Sequence, residues 1–269
     1  MSMSKRFGFG KNWEHFLKTM DNQRIEEAKK SLRIWLGEDD LSGKTFLDMG
    51  SGSGLFSLAA RMMGAKVKSF DYDKDSVDCT QTLKDTYYRG DVDWEIEQGD
   101  ALDTDYLSKF GKVDIVYSWG VLHHTGNMYK ALENAGNLVA DGGKLFIAIY
   151  NDQGIMSKLW TIEKRLYNSV VFPVKLAIVT VFFVVLWTLR FIKDLIRLKP
   201  MKTWFDYKKK RGMSPWHDAV DWCGGYPFEV AKPEEILDFY RQRGFELIKM
   251  KTCGGGNGCN QFVFKKTLQ

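Results

Sequence analysis

The chain has 269 residues, 44% of them hydrophobic, and a formal charge of +5, enough apolar content for a sizeable core in one large domain or a domain with an insertion. It shows no internal repeat and no low-complexity tract, which leaves an ordinary globular class. Its four cysteines (Cys79, Cys223, Cys253, Cys259) form no Cys-x-x-Cys pair, so reduced thiols are expected rather than disulfides or a zinc site, although a hairpin over Gly254–Gly258 could bring Cys253 and Cys259 close.

Residues 1–44 form an N-terminal segment, and its first 18 residues carry charges and glycines without an apolar core, so no secretory leader is expected. Asp21 can cap a helix running to about Leu36, with Ile25, Ala28, Leu32 and Trp35 at near-helical spacing and Gly37 as its stop. Phe46-Leu-Asp-Met-Gly-Ser-Gly-Ser-Gly54 reads as a short apolar strand carrying Asp48 and running into alternate glycines. Gly50, Gly52 and Gly54 lack Cβ atoms, so the backbone there can turn tightly and approach a ligand closely. Leu55–Met63 reads as a helix, and a glycine-rich turn between strand and helix is the usual seat of a nucleotide-like ligand. The dinucleotide fingerprint Gly-x-Gly-x-x-Gly is not met: the sixth position is Leu55 counted from Gly50 and Ser57 counted from Gly52.

The next segments repeat the pattern. Lys66–Asp71 reads as a second strand ending in an acid, and Asp93–Asp100 as a third ending in Gly99-Asp100. Val113 begins a fourth, which runs through Ser118 and Trp119 into Val121-Leu-His-His124. Lys144–Tyr150 is a fifth, after the turn Asp141-Gly-Gly143. Helices are predicted at 55–63, 75–87, 103–109 and 127–139, and strands alternating with helices imply a parallel sheet. Near the C-terminus, Lys232–Gly244 is a helix with proline near its start and glycine at its stop, followed by strands Phe245–Lys251 and Asn260–Lys266 around a glycine-rich turn.

This series resembles the motifs of class I S-adenosylmethionine-dependent methyltransferases, in order and at the family's spacing, over 45–152 and 228–267. The resemblance implies an α/β fold: a Rossmann-like seven-stranded sheet, six strands parallel and an antiparallel seventh between the fifth and sixth. A helical insertion, 153–227, separates strand five from the last helix. The resemblance also implies S-adenosyl-L-methionine as methyl donor and S-adenosyl-L-homocysteine as product. Carried onto this chain, the donor site comprises Asp48, Gly50, Ser51, Gly52, Gly54 and Leu55 in the first motif. Asp71 would hold the ribose hydroxyls, with Tyr72 beside it in the donor site, and Asp100, between Gly99 and Ala101, would face the adenine amino group. Ser118, Trp119 and His123 complete the set from the fourth strand and its loop. The segments Asn12-Trp13, Ser69-Phe-Asp-Tyr-Asp73, Ile147-Ala-Ile-Tyr-Asn-Asp152 and Arg211–Glu229 resemble a bacterial subgroup, and shared motifs point toward ubiquinone-biosynthesis-type O-methyltransferases.

The insertion is unusual. Val170–Leu189 is almost wholly apolar, interrupted by Pro173 and Lys175, and reaches the length and hydropathy of a transmembrane helix. Arg190–Arg211 then holds nine basic and two acidic residues, with Leu189, Ile192, Leu195 and Ile196 giving a helix an apolar side and Arg190, Lys193, Arg197 and Lys199 a polar one. Such a pair suggests an anionic membrane surface met through 168–211. A single span fails on topology, because the last strands must rejoin the sheet. An in-plane or re-entrant helix, a lid over an apolar acceptor and a homo-oligomer contact stay open. No nucleic-acid motif is present.

A methyl sulfonium is a strong electrophile, so positioning supplies much of the acceleration, and an oxygen acceptor needs a base near neutral pKa. The candidates are His123, His124 and His217, with Tyr150 pointing toward the cleft. His217 belongs to Arg211–Glu229, a segment read as a loop rich in Trp, His and Asp, where Asp218 or Asp221 could orient it or lock a lid. No metal-ligand set is found after strands four and five. The expected acceptor is a small hydrophobic or lipid-linked molecule, methylated at oxygen by a cytoplasmic enzyme at the inner face of a membrane. The second reading is a non-catalytic, membrane-associated module that keeps the fold and binds the cofactor or partners.

Overall fold

β1 (Thr45–Met49) sits in the middle of the sheet because Phe46, Leu47, Asp48 and Met49 are all buried, as a strand covered on both faces requires. The computed structural model describes residues 7, 8, 10, 13, 17, 20–205 and 215–268; Lys208–Arg211 and the side chain of His217 lie outside the described residues.

β1 pairs in parallel with β2 (Lys66–Asp71) on one side and β4 (Val113–Trp119) on the other. β3 (Trp94–Gln98), β5 (Val139–Tyr150), β6 (Phe245–Lys251) and β7 (Cys259–Lys266) extend the sheet to the order β3-β2-β1-β4-β5-β7-β6. β7 runs antiparallel to β5 and β6, and the pairs among β1 to β5 are parallel. The strand order reverses between β1 and β4, so their carboxyl ends open a crevice where such sheets bind ligands.

Helices cover both faces. On one face α1 (Asn22–Leu36) buries Ile25, Ala28, Leu32 and Leu36 against α2 (Leu55–Met62) and Phe46, Val67 and Phe146. Asp21 caps α1 by accepting from the Arg24 N–H at 2.9 Å, and Gly37 ends it in the left-handed region at φ 68°. α3 (Lys74–Tyr87) follows β2 and packs beside β3. On the other face α4 (Thr104–Ser108), α5 (Met128–Leu138) and α9 (Pro233–Arg241) enclose Val116, Ile147, Phe262 and Phe264.

The insertion consists of α6 (Ile155–Ser169), α7 (Phe172–Ile196) and α8 (Pro215–Gly224). Nearly all of the apolar run and the start of the basic run, to Ile196, form one continuous helix, α7. Pro173 does not break it, since proline in the first turn loses no helical hydrogen bond. Beyond Leu198, at φ 55°, the chain turns back: Thr203 donates N–H and Oγ1 to Asp194 at 2.7 and 2.6 Å, and the Trp204 ring lies 4.7 Å from that of Trp187.

Two expectations are corrected. From Pro215 the segment read as a loop is helical, because Ala219 and Cys223, one turn apart, bury against Tyr167 and Val179. Asp141-Gly-Gly143 is not a turn outside the sheet but part of β5, where the register with β4 shifts between Val113 and Ile115. A Cβ on Gly143 would lie 2.8 Å from the Asp114 carbonyl, so only glycine passes there. Cys253 and Cys259 are not joined in a disulfide.

Candidate active site

The carboxyl ends of β1, β2, β3 and β4 border a partly open cleft of ≈ 910 Å³, lined also by residues of the insertion and of the N-terminal segment. Its size fits a nucleoside-sized molecule together with a second ligand.

The glycine loop forms the floor. Gly50 and Gly52 take φ of 87° and 55°, which L side chains rarely adopt. The space beside Gly50 is filled by Val121, and the indole of Trp13 lies against Gly52 at 3.1 Å from where a Cβ would be. Asp71, at the end of β2, accepts the Gly52 N–H through one oxygen and the Asp73 N–H through the other, both at 2.9 Å. It therefore pins the loop to β2 while lining the cleft. Burial pushes Asp71 up to about 6. Tyr72 follows it at the rim, half exposed.

Asp48 begins a buried polar chain. It accepts from Ser57 Oγ at 2.5 Å, Ser57 contacts Ser69 Oγ at 2.8 Å, and Trp94 Nε1 donates to Ser69 at 2.9 Å. Burial, with the charge of Asp71 adding, pushes Asp48 up to about 7 against the opposing hydrogen bond from Ser57. The Tyr117 hydroxyl, another lining group, is buried and has no hydrogen-bond partner among the described residues.

On the next wall Asp100 accepts the Leu102 N–H at 2.9 Å. A Cβ on Gly99 would lie 2.2 Å from the ring of Tyr106, so the strand end stays bare beside Ala101. Trp119 lines the cleft. Ser51 and Leu55 also face it, whereas Gly54 and Ser118 lie behind its surface. Ser118 Oγ donates to the Met49 carbonyl at 2.8 Å and so ties β4 to β1.

The two histidines of the short 3-10 turn Leu122–His124 part company. His124 lines the cleft and its Nδ1 lies 2.7 Å from the Pro227 carbonyl. That bond makes Nδ1 the donor and leaves the acceptor lone pair on Nε2. Burial pushes His124 down to about 4 against this bond, so the imidazole is neutral at physiological pH. His123 is fully buried, outside the cleft lining, and accepts the Tyr150 N–H at Nδ1 at 3.4 Å. Burial, reinforced by His124 and Lys164, holds it well below the usual histidine range. Tyr150 packs against both rings, at 4.0 and 5.4 Å, and against Phe228 and Trp222.

The far wall comes from the insertion. α7 gives Phe182, Leu186 and Arg190, and α8 gives Asp218, Asp221 and Trp222. Beneath them Lys164, 2% exposed, donates to the Trp222 carbonyl and stands over the rings of Trp222 and Phe228 at 4.6 and 5.0 Å. Burial pushes it down to about 8.

Sequence reasoning missed Tyr117, Val121 and the α7 residues of this cleft. Tyr117 stands among the apolar residues of its strand, and Val121, although it opens the Val121-Leu-His-His124 motif, carries no polar group to mark it as a site residue. The α7 residues were concealed inside a uniformly apolar run whose inward face periodicity could not choose.

Fold and cleft together define a class I S-adenosylmethionine-dependent methyltransferase. Residues 20–197 match the model of a methyltransferase-domain family, and the chain belongs to that family. It is 28% identical over 157 residues to a ubiquinone biosynthesis O-methyltransferase of Glaesserella parasuis, a match covering 50% of this chain and 66% of that one. It is 39% identical over 82 residues to a ribosomal protein L11 methyltransferase of Psychrobacter, covering 30% of this chain and 25% of the relative. The chain thus spans about two thirds and a quarter of these curated relatives. The fold matches that of magnesium protoporphyrin IX methyltransferase from Synechocystis, crystallised with S-adenosylhomocysteine, at a TM-score of 0.52 and 15% identity, covering 91% of this chain and 83% of that one.

The residues present fit S-adenosylmethionine as cofactor. The carboxylates of Asp71 and Asp100 and the unpartnered Tyr117 hydroxyl offer acceptors to a nucleoside, beside a glycine loop that lines the cleft. When bound, the cofactor supplies a methyl group activated by its sulfonium.

Proposed function

We propose that this enzyme transfers the methyl group to a hydroxyl of a small hydrophobic or lipid-linked acceptor, working on the cytoplasmic face of a membrane. Asp48, Gly50, Gly52, Asp71 and Asp100 hold the cofactor. His124, neutral and with Nε2 as its acceptor, takes the proton of the acceptor's hydroxyl; burial holds it at about 4, below the near-neutral base expected from the sequence, so positioning carries most of the rate. Tyr150, Trp222 and Phe228 give that end of the cleft flat apolar surfaces.

The observation that carries the hydrophobic acceptor is the wall given by α7. Phe182 and Leu186 face the cleft, while only 6% of the most apolar stretch of the same helix is buried in the protein. An acceptor that shares the environment of the outer face can meet the inner one without crossing water. The exposed Lys193 in the last turn of α7 and the basic residues that follow support membrane contact through 168–211 as part of the same proposal.

The test has two stages. Calorimetric titration should show binding of both S-adenosylmethionine and S-adenosylhomocysteine, and absence of both would overturn the enzyme reading. Labelled methyl donor is then supplied with a lipid extract and, separately, with a soluble extract. Label is expected in base-resistant lipid-phase ethers, and label confined to the soluble extract would overturn the acceptor class.

A further inference from the structure

The insertion is built inside out. Between Phe172 and Ile192 the charged residues of α7 are Lys175 and Arg190, and both turn toward the protein. Lys175 stands 5.4 Å from the Tyr167 ring centroid and Arg190 stands 4.9 Å from that of Trp187. Asp194, one turn beyond Arg190, is 6% exposed and bonded to Thr203. The outward face over the same span holds Val174, Val181, Val184, Val185, Leu189 and Ile192, with no charge among them. A helix beside water arranges its charges the other way round.

α6 repeats this arrangement. Ile155, Leu159, Ile162 and Leu166 fall on one stripe at helical spacing, and each is more than half exposed. Glu163 and Lys164 point inward, Lys164 to full burial. Lys158 and Arg165 are exposed beside the stripe. α6 and α7 pack side by side as an antiparallel hairpin, with Trp160 against Phe182 at 5.9 Å and Tyr167 beside Lys175.

We propose that α6 and α7 together form a hairpin that lies in the plane of an anionic lipid monolayer, with the α6 stripe as its second inserted face. The inference rests on the membrane-surface reading above and extends it to a helix that lies almost wholly before 168–211. Charge selects the occupant. Lys158 and Arg165 flank the α6 stripe, and Lys193, Arg197 and Lys199 stand exposed at the end of α7. Anionic headgroups complement this basic rim. A second copy of the chain docked symmetrically would set the same rim against itself. An in-plane hairpin fits the fold better than a span, since α7 packs on α6 and α8, lends Phe182 and Leu186 to the cleft, and the chain turns back beyond Leu198. An in-plane helix buries its apolar side at the boundary of headgroups and acyl chains, the depth at which flanking lysines and arginines reach phosphate.

The test is flotation of the full chain with phosphatidylglycerol–phosphatidylcholine vesicles and with phosphatidylcholine alone. The wild type should float with the mixed vesicles and much less with the neutral ones. Leu159→Glu/Ile162→Glu on α6 and Val181→Glu/Val185→Glu on α7 should each lower partitioning roughly tenfold or more. Cofactor affinity should be unchanged in both, which reports an intact core. If only the α7 pair matters, the α6 inference falls and the membrane reading of 168–211 stands. If the wild type never floats, both fall. Should the α6 pair instead convert a sedimenting dimer to monomer with flotation unaltered, a second copy covers the stripe and the proposal is overturned. Hydrogen exchange of 155–169 in the wild type should be slowed by mixed vesicles and not by neutral ones, and equal exchange with both would overturn the α6 insertion without any substitution.

Discussion

Gly50 and Val121 share one space: a Cβ on Gly50 would lie 2.4 Å from Val121 Cγ1. The loop after β1 and the loop after β4 thereby interlock at the floor of the cleft. Gly50→Ala should cost roughly 2–4 kcal/mol, from the φ of 87° and from overpacking. Val121→Ala in the same chain should recover the packing part and not the backbone part. Chemical denaturation of the two single variants and the double variant measures this coupling. Additive effects would show that the clash is not what holds the glycine.

Asp48 makes stability depend on pH in a direction opposite to an ordinary paired carboxylate. Its pKa is raised in the fold, so its favourable contribution is complete below the unfolded value and is lost as pH rises toward about 7. Asp71 acts in the same sense up to about 6. Asp48→Asn keeps an acceptor for Ser57 and removes the charge. Relative to wild type its stability should therefore climb between about pH 4 and pH 7, by up to the order of 4 kcal/mol. Thermal melts across that range check the slope, and a constant offset at every pH would contradict it.

His124 predicts a rate profile. Its pKa is depressed to about 4, so the neutral imidazole persists at all pH values above about 5. Turnover should show no histidine inflection near neutrality and should fall only in acid. The same shift costs stability as pH drops from the unfolded value near 6.5 toward 4. His124→Gln should lower kcat by about 10²–10⁴ while cofactor affinity stays within a factor of about three. A His124→Gln enzyme with wild-type turnover would leave positioning alone as the source of rate.

The central sheet was readable from sequence because each motif couples a short apolar run to a turn residue. β2 and β6 fall on the residues expected from pattern, as do the Asp21 and Gly37 ends of α1. The insertion was not readable in the same way. A helix apolar on nearly all sides has no periodicity to say which side meets the protein, so Phe182 and Leu186 were indistinguishable from Val184 and Val185. α8 was hidden because its composition is that of a loop, and its helical reason, Ala219 and Cys223 against Tyr167, is a tertiary contact. His123 and His124 are adjacent in sequence but a third of a turn apart in a 3-10 helix, which sends one behind the cleft and the other into it.

Glu229 caps α5 from across the chain. The N-cap residue Asn127 makes no side-chain cap, and both carboxylate oxygens of Glu229 accept the Met128 N–H, at 3.1 and 3.0 Å. Its own N–H donates to the His123 carbonyl at 3.0 Å, so one residue fixes the start of α5 and the histidine turn together. A carboxylate at a helix N-terminus also meets the positive end of the helix dipole. Glu229→Ala should cost about 1–2 kcal/mol, and Glu229→Gln, which keeps the acceptor without the charge, about half of that. Because the turn carries His124, kcat should fall in parallel with stability in both variants. Hydrogen exchange of the first-turn amides of Met128–Leu138 reads the cap directly. Unchanged protection there in Glu229→Ala would mean that the helix start is held by packing against the sheet and not by this carboxylate.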